Sequence, residues 1–168
     1  TKLNSCDYSY LVELIVKYIL NPSIETSWKK FDTDAITVID NGDYQGTILF
    51  MIPRKTYQPS ASDYLLTYSY YGSCSVCDTL LSIQDWRDGV PTENQVKDYM
   101  ALCKDLVCNI VKPYNNGWQE EEEFEDDIDD DFEKTIAISK RITYEEWQNR
   151  PWTEKLLQAF LYFFKCHF

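Results

Sequence analysis

The stretch AITVIDNGDYQGTILFMI, residues 35–52, decides the fold of this 168-residue chain. Residues 35–39, AITVI, are rich in β-branched side chains, which is typical of a strand. The following DNGD at residues 40–43 predicts a tight hairpin turn, because Asn and Gly accept the positive φ angles that such turns require. Residues 46–52, GTILFMI, predict the returning strand, which Pro53 ends.

Outward from this hairpin, the pattern predicts a third strand and flanking helices. The tyrosine-rich residues 64–71 complete a predicted three-strand antiparallel meander. Apolar residues at helical spacing over residues 7–20, and again after Pro91, predict helices before and after these strands in the chain, covering one face of the sheet. Residues 135–139, TIAIS, alternate as a strand does and could add a fourth strand. We therefore expect an α+β fold, a small antiparallel sheet packed against several helices.

Two capping boxes predict where helices begin. Thr92 pairs with Gln95, and Thr143 pairs with Glu146, at the spacing that lets each side chain bond the other residue's backbone N–H. With these boundaries we divide the chain into three parts. They are an α+β core domain over residues 1–114, an acidic segment over 115–134, and a C-terminal strand and helix element over 135–168 that packs on or extends the core.

The C-terminal element ends in a predicted helix that is apolar on most sides. Its apolar residues are Trp152, Leu156, Leu157, Phe160, Leu161, Phe163 and Phe164. A helix of this kind is normally buried, so we expect it to close the core. The alternative is an interface with a second copy or a partner, where aromatic side chains are enriched.

The chain concentrates its negative charge in one block, residues 120–133, which reads EEEEFEDDIDDDFE. Its acidic residues are Glu120, Glu121, Glu122, Glu123, Glu125, Asp126, Asp127, Asp129, Asp130, Asp131 and Glu133. The chain has 28 acidic residues, so outside this block 17 acidic residues are balanced by 16 basic ones. The net charge of −12 is therefore a local feature. Phe124, Ile128 and Phe132 recur every four residues, the spacing that lines one face of a helix.

Two interpretations of this block stay open. One is a solvated acidic linker, since blocks of like charge repel each other. The other is a polyanionic surface that occupies a basic groove. Duplex nucleic acid carries one charge per ~1.7 Å of axis, and closely spaced carboxylates approximate that density. Either way, we expect no direct binding of nucleic acid, because the block repels it.

A second candidate site is the pair Cys74 and Cys77, two of six cysteines. The pair follows a predicted strand and precedes a short predicted helix, whose N-terminus would favour a thiolate. Structural thiols, a redox or disulfide pair and a zinc site all remain open. Zinc needs two more ligands, and Cys103 and Cys108 lie five apart on a predicted helix, so they do not point together. We expect no cofactor, with zinc at Cys74 and Cys77 as the alternative.

Several function classes are disfavoured by composition. The single His and the lack of a Ser-His-Asp set or a phosphate loop disfavour most hydrolases, kinases and metalloproteases. The sequence contains no run of 18 apolar residues, so it predicts no membrane span. The first residues lack the features of a signal peptide. We therefore expect reduced thiols and a cytoplasmic location.

Residues 40–114 also carry recognisable landmarks. They include NGDYQGT at 41–47, YGSCSVCDTL at 71–80 and PTENQVKDYM at 91–100. This stretch resembles a group of small uncharacterised proteins carried by bacteriophages and mobile elements, a group with no assigned activity. The resemblance implies a phage context, in which small proteins often bind and inhibit host machinery, including defence enzymes that target nucleic acid.

These observations predict a non-enzymatic, phage-type binding protein. Its acidic residues would mimic nucleic acid and inhibit a basic, nucleic-acid-handling host protein, in the manner of an anti-CRISPR inhibitor. We expect a location in the host cytoplasm and no membrane partner, and the C-terminal helix could form a homo-oligomer. The first alternative is a small thiol-redox or zinc-binding protein using Cys74 and Cys77. The second is a phage regulatory or structural protein in which the acidic residues are a spacer.

Overall fold

A three-strand antiparallel sheet lies at the centre of the fold, as predicted. The computed structural model describes residues 7–74, 76–84, 91–113, 130–151 and 154–158, and for residues 130–134 only the backbone. The strands are β1 (Thr37–Asp40), β2 (Gly46–Pro53) and β3 (Tyr64–Tyr71), in the order β1-β2-β3. The α-helices are α1 (Tyr8–Ile15), α2 (Thr79–Ile83), α3 (Glu93–Cys108), α4 (Asp130–Arg141) and α5 (Tyr144–Gln148), and a π-helix, Val16–Leu20, follows α1 directly. The predicted α+β class is confirmed.

The hairpin forms where the sequence predicts it, but its connection is a five-residue loop over 41–45, and Gly42 does not adopt a positive φ angle. Thr37 pairs with Met51 between β1 and β2, and Gly46 pairs with Tyr71 between β2 and β3. The side chain of Asn41 stabilises the turn, because its Oδ1 accepts a hydrogen bond of 2.9 Å from the backbone N–H of Thr47. The Asn41 side chain therefore joins the two ends of the hairpin loop.

One face of the sheet is buried against the helices. Phe50 and Ile52 of β2 and Leu65 of β3 are almost fully buried on that face. Thr67 shares it, and its hydroxyl donates a 2.6 Å hydrogen bond to the carbonyl of Leu106 in α3. The bond satisfies a buried polar group and fixes β3 against α3.

Helix α3 is the central helix, because it packs against β3 and against each of α1, α2, α4 and α5. Its capping box forms as predicted: the Thr92 hydroxyl accepts from Gln95 N, and the Gln95 side chain accepts from Thr92 N. After α3 the chain runs beside β3, where Val111 and Leu66 exchange two backbone hydrogen bonds of 2.8 Å. The start and the end of α3 are therefore both fixed.

The prediction of a fourth strand at residues 135–139 is wrong, because these residues lie within α4. The buried residues are Thr135, Ile136 and Ser139, a spacing that fits a helix and not a strand. The Ser139 hydroxyl donates to the Thr135 carbonyl at 2.8 Å, one helical turn away. Acidic residues at the start of α4 and Lys140 and Arg141 at its end match the helix dipole.

The C-terminal element contributes to the core where the structure describes it. Helix α5 begins at the predicted Thr143–Glu146 capping box, and its Trp147 is fully buried. Residues 154–158 are helical, and Leu156 is fully buried. Of the apolar set predicted to close the core, Leu156 and the half-buried Leu157 do so. Trp152 and the four residues from Phe160 onward lie outside the described residues. Among the helices described, none has the length and apolar character needed to cross a membrane.

Candidate functional site

The two cysteines of the CSVC sequence lie side by side in a turn after β3. The Cys74 carbonyl accepts hydrogen bonds of 2.9 Å from the backbone N–H groups of both Cys77 and Asp78. This closed turn places the sulfur atoms of Cys74 and Cys77 3.3 Å apart. Both residues are exposed and unbridged. The two thiols are therefore close enough to interact, and the three interpretations of this pair stay open at this point.

Gly72 makes room for this turn. A Cβ atom added at Gly72 would lie 2.3 Å from the Cβ of Cys77 and 2.9 Å from its carbonyl oxygen. Contacts this short are not tolerated between carbon atoms in a packed structure. The backbone of Cys77 therefore packs directly on Gly72, and any larger residue would displace the second thiol.

Asp78 connects the thiol turn to the rest of the fold. Its carboxylate is buried, and it accepts hydrogen bonds from Gly72 N at 3.2 Å and from Leu81 N at 3.0 Å. The second bond caps the N-terminus of α2. The Tyr8 hydroxyl of α1 donates a third bond, of 3.2 Å. One carboxylate therefore joins the end of β3, the start of α2 and the start of α1.

The two thiols differ electrostatically. A hydrogen bond with the Cys77 side chain, supported by the backbone N–H groups of Val76 and Cys77, lowers the pKa of Cys74. The same side-chain bond raises the pKa of Cys77, and the charge on Cys74 adds to that increase. Cys74 is therefore the thiol that ionises first, and the thiolate is the reactive form of cysteine.

An open groove lies next to the thiol turn, between the end of β3 and α3. It is lined by Ser69, Tyr70, Thr79, Leu102, Asp105, Cys108 and Asn109. Burial raises the pKa of Asp105, and the charge of Lys104 opposes this shift. The Cys108 sulfur is engaged with the Ser139 carbonyl of α4 at 3.3 Å. The groove thus holds a carboxyl group and an amide but no second pair of thiols.

Most of the predicted partner-binding residues cannot be placed. Glu120, Glu121, Glu122, Glu123, Glu125, Asp126, Asp127 and Asp129 lie outside the described residues. Asp130, Asp131 and Glu133 belong to the first turn of α4 by their backbone. The described chain stops at Pro113, just after the Val111 bridge to β3, and resumes at α4, which packs on α3. The acidic residues therefore connect two points that are anchored in the core.

The described residues hold no group of three or more His, Cys, Asp or Glu side chains that could bind a metal ion. For the zinc alternative, this part of the chain supplies Cys74 and Cys77 only. Cys103 is fully buried and Cys108 is half-buried, so they do not add to the pair. Two thiols alone fall short of the four ligands that a structural zinc site requires.

The roles of Gly72, Asp78 and Tyr8 were not predicted from the sequence. A glycine directly after a predicted strand and an Asp before a helix are signals for a turn and a cap. Neither signal shows that Asp78 also bonds Tyr8, 70 residues earlier in the chain.

No family model, no curated protein and no solved structure matches this chain.

Proposed function

We propose that this chain is a non-enzymatic binding protein whose acidic segment, through the acidic residues at 120–133, occupies a basic surface on a nucleic-acid-handling host protein. The concrete form of the proposal is an anti-CRISPR-like inhibitor of phage type. The observation that carries it is the charge distribution: eleven acidic residues in fourteen positions, on a chain whose remaining residues are almost balanced in charge.

The anchoring of the acidic segment supports this proposal. Before the segment, Val111 is bonded to Leu66 of β3. After it, Thr135, Ile136 and Ser139 of α4 are buried. A segment held at both ends loses less conformational entropy on binding than a free tail of the same length.

The physical basis of recognition would be competition with nucleic acid. Channels that hold a heteroduplex in guide-RNA effectors are positively charged and contact the phosphate backbone. A row of carboxylates satisfies the same Lys and Arg side chains. The basic host protein is therefore blocked where it would bind its nucleic acid. Because the attraction rests on charge, added salt weakens it.

The test compares three forms of the full chain as baits in a lysate of the bacterial host. The first is the wild type. The second, the acidic-segment variant, carries Asn at Asp126, Asp127, Asp129, Asp130 and Asp131. The third is a control with the same change in charge, made at five exposed acidic residues elsewhere: Glu25→Gln, Asp34→Asn, Asp43→Asn, Glu145→Gln and Glu154→Gln.

We expect the wild type and the control to capture the same basic host protein. Added duplex DNA or RNA should release this protein from the bait. The acidic-segment variant should lose that capture. Equal capture by all three forms would instead favour a regulatory or structural protein in which the acidic residues act as a spacer. Circular dichroism of each form checks that the fold is retained.

A further inference from the structure

We propose that Cys74 and Cys77 form a redox-active dithiol that reacts with low-molecular-weight disulfides such as oxidised glutathione, Cys74 being the attacking thiol and Cys77 the resolving one. This activity is independent of the acidic segment. It uses a different part of the molecule, the turn between β3 and α2.

The first support is the position of the sulfur atoms. They lie 3.3 Å apart. Because both residues are exposed, an external disulfide can reach Cys74, and the Cys77 sulfur is near enough to attack Cys74 afterwards. The backbone of the turn is already closed by the two bonds to the Cys74 carbonyl. Bond formation between the sulfurs therefore requires movement within the turn and not of the elements around it.

The second support is the way the turn is held. The contact of Cys77 with Gly72 fixes the resolving cysteine against the end of β3. Asp78, directly after Cys77, bonds the start of α2 and the Tyr8 hydroxyl of α1. These contacts involve no sulfur atom, so forming the disulfide does not require any of them to break. The pair can therefore change oxidation state while the fold remains in place.

The third support is the difference between the two thiols and the remaining described cysteines. The lowered pKa of Cys74 increases its thiolate fraction near neutral pH, whereas the raised pKa of Cys77 keeps the Cys77 thiol protonated there. Cys103 is fully buried, and Cys108 is engaged with the carbonyl of Ser139. Among the cysteines that the structure describes, only Cys74 and Cys77 are both exposed and close together, with one thiol, that of Cys74, of lowered pKa.

The reaction balances in two steps of thiol–disulfide exchange. In the first, the Cys74 thiolate attacks one sulfur of the small disulfide. The disulfide bond breaks, a mixed disulfide forms on Cys74, and one small thiolate leaves. In the second, Cys77 loses its proton and attacks the Cys74 sulfur, which releases the second small thiolate. The cysteine pair loses two electrons, the small disulfide gains them, and the two thiol protons end on the two small thiols.

The test uses the full chain in buffers of reduced and oxidised glutathione. Trypsin cleaves after Lys55 and Arg87, so Cys74 and Cys77 fall on one peptide that contains no other cysteine. We expect this peptide to lose two hydrogens under oxidising buffer and to regain them under reducing buffer. Peptides with Cys103 or Cys108 should show no change over the same range.

Three variants assign the roles. With Cys77→Ser the reaction should stop at glutathione bound to Cys74. With Cys74→Ser the rate of reaction with oxidised glutathione at neutral pH should fall about tenfold or more, because the activated thiol is gone. The Cys108→Ser variant is the matched control and should react as the wild type does. Circular dichroism before and after oxidation should be unchanged.

Three results would overturn the proposal. One is a Cys74–Cys77 peptide that stays reduced in fully oxidised glutathione. Another is equal reactivity of the two single-serine variants. The third is one equivalent of zinc in the purified protein, with both thiols protected until a chelator removes the metal. Capture of a host partner through the acidic segment is scored separately, so either proposal can fail alone.

Discussion

At the scale of single residues, the candidate site depends on Gly72 as much as on the cysteines. The sequence shows the two thiols and their spacing, and the strand before them was predicted correctly. It does not show that Cys77 packs on Gly72, because that contact arises only when the turn closes. It also cannot show the bond between Asp78 and Tyr8, which joins residues distant in sequence. Contacts of this kind depend on tertiary packing and leave no local pattern.

Replacing Gly72 by Ala should destabilise the protein by about 1–3 kcal/mol, because the added methyl group overlaps Cys77. Urea unfolding followed by circular dichroism measures the change. Ser73→Ala, at the exposed next residue, is the control and should stay within about 0.5 kcal/mol of the wild type. If Gly72→Ala unfolds at the same urea concentration as the wild type, the contact between Gly72 and Cys77 does not hold the turn.

At the scale of elements, local signals were reliable where a side chain bonds a nearby backbone. The hairpin forms at the predicted place, though with a longer loop, and both capping boxes form as predicted. The prediction failed at residues 135–139, where five residues of alternating character also fit one and a half turns of helix. Packing against α3 selects the helix, and no local pattern encodes that packing.

The capping box of α5 can be tested with Thr143→Ala. Thr143 Oγ1 accepts from Glu146 N at 3.2 Å, and the Glu146 carboxylate accepts from Thr143 N at 2.9 Å. Loss of the hydroxyl should cost about 1 kcal/mol of unfolding free energy in urea. Thr56→Ala, at an exposed Thr outside any helix cap, should cost less than half as much. Equal losses in the two variants would contradict a stabilising role for the cap.

Helices α3 and α5 are also joined through Tyr144, and this link should depend on pH. The Tyr144 hydroxyl donates to the carbonyl of Lys97 and accepts from Gln148 Nε2 at 2.9 Å. Burial, reinforced by the charge of Asp98, raises the pKa of Tyr144 to about 12. Because the folded state raises this pKa, the neutral hydroxyl stabilises the fold below pH ~10, and that stabilisation is lost as the pH rises towards 12.

In urea unfolding experiments, the Tyr144→Phe variant should therefore lose less unfolding free energy between pH 10 and 12 than the wild type does. Part of the decline should remain, because the hydrogen bond to Asp40 likewise raises the pKa of Tyr71 to about 12. Tyr57→Phe, at a side chain that is 98% exposed, should keep the wild-type profile. A Tyr144→Phe profile that parallels the wild type would show that this hydroxyl does not link α3 and α5.

At the scale of the whole molecule, the fold class and the concentration of charge could both be read from the sequence. The sheet order follows from short connections between consecutive strands, and the charge distribution follows from counting residues. The partner could not be predicted, because a charge pattern defines a class of surface and no particular protein. The fold contributes the anchors on both sides of the acidic segment, at the β3 bridge and at α4.

The most direct test of the proposed function is the salt dependence of binding to the host protein that the wild type captures. The dissociation constant is measured for the wild type, the acidic-segment variant and the charge-matched control, from about 50 mM to about 300 mM salt. We predict a steep loss of affinity with salt for the wild type and the control, and for the variant a weaker affinity with a smaller salt slope, because only six of the eleven acidic residues remain. Equal affinities and slopes for all three forms would contradict a role of residues 120–133 in binding.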